Sequence, residues 1–380
     1  MKKFLSITLL FFILIFSGCA KSLINLVLQN DPDAISMFGK IPSRSFFVNT
    51  DITDSLKLVW ENSTYGSFNN SSAVVYDSIL FINDLGGRIH CFDIRTGKQK
   101  GVLKTKGAVY STPLLFRNRI VYSLCDQNKN YSNLIYYDLL NGKELFDIYI
   151  EGRILSQMIN ENGNIILCTD NGTIKKYSAA GKMIWETETS SQIQCNPAMQ
   201  NNKIVVGNNE GEILFIKSDD GKIILKKKVG KQFLSGVTID GDIAYIADNS
   251  GVLYAIDINN GNIIWQFDTD SRILMNPAVD DENVFVGNLK GNLFCIDKNI
   301  GELKWQSKLG GLLNSTPLIT KNRVVITNLN LAFYIIDKKD GIIKNKIELE
   351  GRGKLSPILI NNKIIIGYDD GNISAYEIIH

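Results

Sequence analysis

The sequence predicts an all-β fold: an eight-bladed β-propeller of four-stranded antiparallel blades, its ring closed by pairing the N- and C-terminal strands in one blade. Three observations predict it. First, one stretch recurs. Residues 248–265, DNSGVLYAIDINNGNIIW, reappear at 288–305 as NLKGNLFCIDKNIGELKW, and a period of about forty residues marks a repeat architecture. Second, the rarest residues sort into slots. A glycine recurs at Gly97, Gly142, Gly181, Gly221, Gly261, Gly301 and Gly341, in steps of 45, 39 and then 40 each time. All four tryptophans, Trp60, Trp185, Trp265 and Trp305, share one slot, and twelve residues beyond that slot stand Pro113, Pro197, Pro277, Pro317 and Pro357. Third, the two ends are complementary. The chain finishes with residues 368–380, YDDGNISAYEIIH, where another glycine and tryptophan should follow, while residues 55–62, SLKLVWEN, carry Trp60 with no upstream partner strand. Joining them in one blade leaves no long open sheet edge.

Residues 1–18 read as a signal peptide. Lys2 and Lys3 make a positive start, and residues 4–16 are an apolar run of thirteen, too short to span a bilayer comfortably and right for a secretory signal. Ser17, Gly18 and Cys19 match the end of a bacterial lipobox, with Phe16 where leucine is usual. The other reading is an ordinary secretory signal with a chance cysteine. On the lipoprotein reading Cys19 is acylated on its sulfur and its new amino group, and several acyl chains anchor a protein where one does not. Residues 19–54 carry no repeat and include Pro32 and Pro42. They are expected to form a flexible tether, with one short helical or apolar contact at residues 23–28, reaching tens of ångströms from the lipid.

Residues 55–380 are expected to be one domain, because a ring of repeats shares its interfaces and cannot be cut cleanly. Each unit reads as strands A to D; in one unit these are NPAMQ, KIVVG, EILFIK and KIILKKK. The turns Asn201-Asn202, Asp240-Gly241, Asp280-Asp281 and Asn361-Asn362 use residues that tolerate the positive φ of tight hairpins. An acidic slot four residues before the glycine holds Asp93, Asp138, Asp257, Asp297 and Asp337. A small slot, Ser123, Cys168, Gly207, Ala247, Gly287, Thr327 and Gly367, belongs where blades approach, and the tryptophans are expected to pack on the neighbouring blade. With Lys2 and Lys3 removed, 39 of the 41 basic residues stand against 39 acidic ones. That balance favours neither nucleic acid nor a strongly anionic partner.

The spacing Ala255, Asp257, Gly261, Trp265 resembles the repeat of quinoprotein-type propellers, Ala-x-Asp-x-x-Thr-Gly-x-x-x-Trp, and its Thr-Gly pair survives at Thr96-Gly97. Eight such blades behind a lipoprotein signal resemble the BamB family, the propeller lipoproteins of the outer-membrane β-barrel assembly machinery, over residues 55–380. The resemblance implies a non-catalytic scaffold without cofactor. It would be lipid-anchored at the periplasmic face of the outer membrane, since Ala20 and not aspartate follows Cys19. Its implied partner is the central barrel-assembly protein, and its role is to aid insertion of β-barrel proteins. Many proteins share this repeat. Two other readings therefore stand: an adaptor for another envelope complex or ligand, and a pyrroloquinoline-quinone-dependent dehydrogenase.

Strand alternation puts the A–B and C–D turns on one face, and the B–C turns with the D-to-A crossovers on the other. Three crossovers place Arg153, Arg272 and Arg352 five residues before the proline slot. In the BamB family a crossover arginine followed by glycine helps bind a soluble domain of the central assembly protein, so Arg352 with Gly353 is the implied contact. The pair sits in the last crossover and not mid-ring, and the paired aspartates of the family are missing, with Asn314 at the nearest spacing. The alternative for each is a solvated loop arginine. One B–C connection is irregular: the small slot precedes the acidic slot by ten residues in seven blades but by fifteen from Ser123 to Asp138. The excess at residues 124–133 is either a contact site or a neutral insertion on a tolerant turn.

Catalytic constellations are sparse. Of two histidines, His90 falls in a strand register shared with Tyr254 and Phe294, and His380 is terminal. A Ser-His-Asp triad would need His90 to leave its strand. The five cysteines after Cys19 form no C-x-x-C and read as small core residues, with a Cys125–Cys168 bridge left open. The turns at Asp248–Gly251 and Asp369–Gly371 lack the twelve-residue calcium loop.

Overall fold

The computed structural model describes residues 24–126 and 128–379. The signal peptide expected at 1–18 and the lipidation site Cys19 lie outside the described residues.

Turn chemistry sets the strand lengths. Asn201 and Asn202 take φ of 49° and 60°, and Asn361 and Asn362 take 48° and 60°, so both pairs fold tight A–B hairpins. Asp280 works differently. Its Oδ1 accepts from the N–H groups of Glu282 and Asn283, and the turn closes through the side chain. Between such turns each repeat makes four antiparallel strands, as in blade 5: Thr238–Asp240, Ile243–Ala247, Val252–Asp257 and Ile263–Asp268. Eight sheets of this kind follow one another: blade 1 spans residues 74–104, blade 2 114–151, blade 3 159–188, blade 4 198–228, blade 6 278–308 and blade 7 318–348, and blade 8 joins Ile358–Ile360, Lys363–Tyr368 and Asn372–Ile378 to Leu56–Ser63. Leu56 pairs with Ile378 and Ser63 with Asn372, so the N-terminal strand completes the last blade as expected.

Every C–D hairpin carries a register shift at the same place, between Ala255 and Ile256 in blade 5 and between Leu58 and Trp60 in blade 8. A bulge increases local twist and re-aims the following side chain. Here it lies beside the tryptophan slot. Trp60, Trp185, Trp265 and Trp305 are buried, and each donates its indole N–H to a carbonyl of the next blade: Ile94, Ser218, Lys298 and Lys338 at 2.8–2.9 Å. The turn glycine of that next blade lies against the ring. Gly301 sits at φ 75°, and a Cβ there would come within 2.6 Å of Trp265. The acidic slot holds the same turn: Asp297 Oδ1 accepts from Asn299 and Ile300, and Asp257 Oδ1 from Asn259. Tryptophan, bulge, aspartate and glycine are thus one interblade joint.

The segment expected to be a flexible tether is built into the ring from Ile24 onward. Ile24, Leu28, Ile35, Met37, Phe38, Arg44, Phe46 and Ile52 are all buried. Its start lodges between blades 1 and 2: Leu26 N–H donates to Leu139 O, Tyr137 Oη to Ile24 O, and Leu28 N–H to Asn118 Oδ1. The apolar contact expected at residues 23–28 is therefore present for its described part, but as the beginning of a docked strap. A segment that buries this many apolar side chains offsets its ordering entropy, which a loose coil does not.

The irregular connection of blade 2 is a lengthened hairpin. Arg119–Cys125 and Tyr131–Asp138 stay paired as far as Cys125 with Ser132, and the D strand, Lys143–Glu151, runs nine residues. Tyr131 packs on Tyr149 at 5.1 Å between ring centroids. Most of the excess has been absorbed as sheet.

Candidate interaction surfaces and the filled channel

Strands A line the axis of the ring, and their free edges would face the channel. The strap takes up several of them. Ile35 bridges Val75 in blade 1, Ser36 O accepts from Leu115 in blade 2, Pro42 O from Met199 in blade 4 and Ser43 O from Ile239 in blade 5. Phe47 and Val48 then add a short parallel strand to blade 7, opposite Ile319 and Thr320. Arg44 pins the crossing. Its side chain is fully buried, with Nε donating to Pro197 O, Nη1 to Phe38 O, and Nη2 to Gln157 O and Met158 O, all at 2.7–3.0 Å. Among the described residues no carboxylate pairs with it, and burial pushes the guanidinium down to about 9. Four carbonyl oxygens solvate the cation, and its guanidinium lies over the Phe38 ring, 5.8 Å from the centroid. A pocket of about 70 Å³ remains between the strap and blades 7, 8 and 1, lined mainly by Ile35, Phe46, Phe47, Leu318, Ile358 and Leu359.

Deeper along the axis a belt of hydrogen bonds ties blade to blade. The residue before the proline slot uses its backbone N–H to reach the equivalent side chain of the next blade: Ser72 to Thr112, Thr112 to Gln157, Gln157 to Asn196, Asn276 to Thr316 and Thr316 to Ser356, at 2.7–3.2 Å. Two joints use a carbonyl instead, Asn196 N–H to Ser235 O and Ser356 N–H to Ser71 O. Blade 5 has only Gly236 in this slot, and Asn196 Nδ2 reaches past it to Asn276 Oδ1 at 2.9 Å. Gln157 also donates to Asn70 O, and Asn70 to Leu274 O, across the ring. Sequence reasoning missed this belt. Its signal was there, a polar residue before each proline at Thr112, Asn196, Asn276, Thr316 and Ser356. Arg44 had no such signal.

The three arginines lie on the crossover face, each against a B–C turn. Arg153 Nε donates to Asp170 Oδ2 at 2.7 Å, Arg272 Nε to Asn249 Oδ1 at 2.7 Å, and Arg352 Nε to Asp369 Oδ2, where Lys354 adds a second cation at 2.7 Å. Arg272 and Arg352 remain exposed, and Arg153 half-buried. Gly353 differs: it is buried, its N–H donates to Asn328 O, and a Cβ would stand 2.4 Å from Thr327 Cβ. Close approach of two blades accounts for that glycine.

The other singled-out groups are structural. His90 Nε2 meets Asp84 Oδ2 at 3.2 Å and Nδ1 meets Gln99 Nε2 at 3.2 Å. The same rung carries Tyr254 Oη on Asp248 in blade 5 and Tyr334 Oη on Asn328 in blade 7, so the His90–Asp84 pair is a strand-to-turn tie. Asp248 is saturated by N–H donors from Lys231, Ser250 and Val252 and by the hydroxyls of Ser250 and Tyr254. Cys91, Cys125, Cys168, Cys195 and Cys295 are all free and buried, so Cys125 and Cys168 are not bridged. Burial pushes the thiols of Cys195 and Cys295 up to about 12, and they stay protonated. Among the described residues no three His, Cys, Asp or Glu side chains converge as a metal site. No helix there is long and apolar enough to cross a membrane.

Comparison with known proteins agrees with this geometry. The family described as outer membrane protein assembly factor BamB matches at residues 121–229, 170–275 and 271–379. No curated protein matches significantly. Among solved structures, BamB from Moraxella catarrhalis is 15% identical, covering 85% of this chain and 100% of that one, with a TM-score of 0.73. Quinohemoprotein alcohol dehydrogenase from Comamonas testosteroni is 11% identical over 90% of this chain and 80% of that one, at 0.76. A europium-containing methanol dehydrogenase is 11% identical over 92% and 99%, also at 0.76. At these identities the structural likenesses speak for the propeller fold alone. The family match, which spans well over half the sequence, goes further: the chain belongs to the family of outer membrane protein assembly factor BamB.

Proposed function

We propose that the chain is a non-catalytic scaffold lipoprotein of the outer-membrane β-barrel assembly machinery. Lipidated at Cys19, it is held at the periplasmic face of the outer membrane. It binds the central barrel-assembly protein through its crossover face and aids insertion of β-barrel proteins. The observation that carries this reading is the family match over residues 121–379, joined to a crossover face that presents Arg153, Arg272 and Arg352 around its rim. Arginine is enriched at protein interfaces. Each of the three is already oriented by a B–C turn partner, which lowers the ordering cost of binding.

A quinone-dependent dehydrogenase draws on the shared fold alone. Residues 35–48 cross the channel at its A–B turn end, with Arg44, Phe38 and Phe46 buried there.

The test is co-purification of the tagged lipoprotein from detergent-solubilised envelopes, with and without Arg153, Arg272 and Arg352 changed to Glu. Recovery of the central assembly protein by the native chain and its loss with the reversals is the expected result. Recovery by both moves the contact away from the arginines, with the blade 2 hairpin next to be examined. Recovery by neither overturns the assembly reading and leaves an adaptor for another envelope complex.

A further inference from the structure

We infer that the corner of the A–B and C–D turn face at blades 1 and 2 rests against the lipid bilayer, and that the crossover face is thereby held away from it. The inference rests on the lipid anchor at Cys19 and adds an orientation to it.

Chain length decides the matter. From Cys19 to Ile24 is five residues, and five residues span at most about 18 Å in any conformation. Ile24 is fixed: it is fully buried, its carbonyl accepts from Tyr137, and the next strap contact is Leu26 on Leu139 in the C–D turn of blade 2. Gln29 and Asp31 then hold the A–B turn of blade 1 through Asp77. The blades are as tall as their strands. The six residues of Ile263–Asp268 rise roughly 20 Å, so the anchor's reach is shorter than the distance from one face to the other. An acyl group on Cys19 cannot lay the crossover face on the membrane while Ile24 stays docked. It can bring the corner carrying Ile24 to the bilayer surface. The exposed side chains at that corner suit an interface with lipid: Val27 is 70% exposed and Leu140 45%. A loose tether of 35 residues would impose no orientation. The docked strap converts a lipid anchor into an oriented mount, with Arg153, Arg272 and Arg352 facing the periplasm.

The experiment uses the full lipidated chain in vesicles of phosphatidylethanolamine and phosphatidylglycerol doped with a headgroup nitroxide lipid. A fluorophore is placed at Leu140→Cys on the turn face or at Lys231→Cys on the crossover face, Cys91, Cys125, Cys168, Cys195 and Cys295 being buried and Cys19 acylated in the lipidated chain. Several-fold stronger quenching at 140 than at 231 is expected. A twenty-residue Gly/Ser insertion after Ala20 should abolish the difference while leaving the protein bound. Equal quenching at the two sites in a vesicle-bound native chain overturns the orientation and leaves the anchor standing. If Cys19→Ser binds vesicles as well as the native chain does, the anchor reading itself falls, and the orientation with it.

Discussion

Trp265 and Arg44 are both locked by neighbouring chain, and they are locked by opposite logics. Trp265 stacks on the turn glycine of the next blade and donates its indole N–H to Lys298 O. The same joint is made by Trp60, Trp185 and Trp305 on their own neighbours. Arg44 occurs once. It crosses the channel inside a strap that follows no repeat, and binds four carbonyls from three separate segments. The rim is held by a device repeated around the circle, each copy joining two blades. The strap is a single device that joins blades 1, 2, 4, 5 and 7 at once. A closed ring of repeats tolerates variation in any one joint, as Gly101, Leu225 and Asn345 in the tryptophan slot demonstrate. A lone crossing strap has no spare copy.

Four measurements would break or sharpen this contrast. The largest effect is expected from deleting residues 55–63. Blade 8 then loses its outer strand and the ring its closure. The chain should lose its cooperative thermal transition, followed by circular dichroism, whereas a modest shift in midpoint would mean that the ring closes without that strand. Next comes Trp265→Ala, expected to cost ~3–5 kcal/mol in denaturant unfolding, because a buried aromatic is removed and the glycine turn of blade 6 loses its support. Arg44→Met should act more locally. Each buried carbonyl left without its donor costs about 1–3 kcal/mol, partly offset by no longer burying a charge. Residues 24–50 are expected to become sensitive to chymotrypsin at Phe46 and Phe47 under conditions where the ring stays folded. Strap and ring melting together in this variant would show that they form one cooperative unit.

The smallest effect concerns the acidic slot. The Asp297 carboxyl is held below its ordinary value by the N–H of Asn299 and then by the ammonium of Lys304. Asp138 is lowered by the side chain of Asn141 and by backbone N–H groups. A group whose folded pKa is depressed stabilises the fold above its unfolded value. That contribution is lost as pH falls through the folded value, here below about pH 4. These carboxyls are near the surface, so the loss is small. Thermal melts from pH 5 to 3 should show a shallower acid decline for Asp297→Asn than for the native chain, and identical slopes would remove the aspartate from the turn's electrostatics.

What could be read before the structure follows from the same contrast. Blade number, closure by residues 55–62, the interblade role of the tryptophans and the structural character of the cysteines were legible, because each slot is written several times. Period-two alternation and turn residues then carry the strand assignment. The belt through Thr112, Asn196, Asn276, Thr316 and Ser356 was written in the repeat but not recognised, since a polar residue before proline reads equally well as loop chemistry. Gly353 beside Arg352 reads as half of a contact motif, and the structure adds a packing reason for the glycine that the sequence does not carry: a Cβ there would meet the Thr327 side chain.

By itself the sequence determined the ring. Local turn chemistry and a forty-residue period suffice for that, since each blade needs only a neighbour like itself to bury its faces. Only the tertiary structure decided the course of residues 24–54. Many of their partners are the free edges of inner strands, up to roughly 270 residues away along the chain, as in Phe47 opposite Ile319, and edges are satisfied through backbone groups that every residue carries. A segment held by backbone groups, one buried arginine and apolar side chains that follow no period leaves little trace in the sequence pattern, and its place had to be found in space.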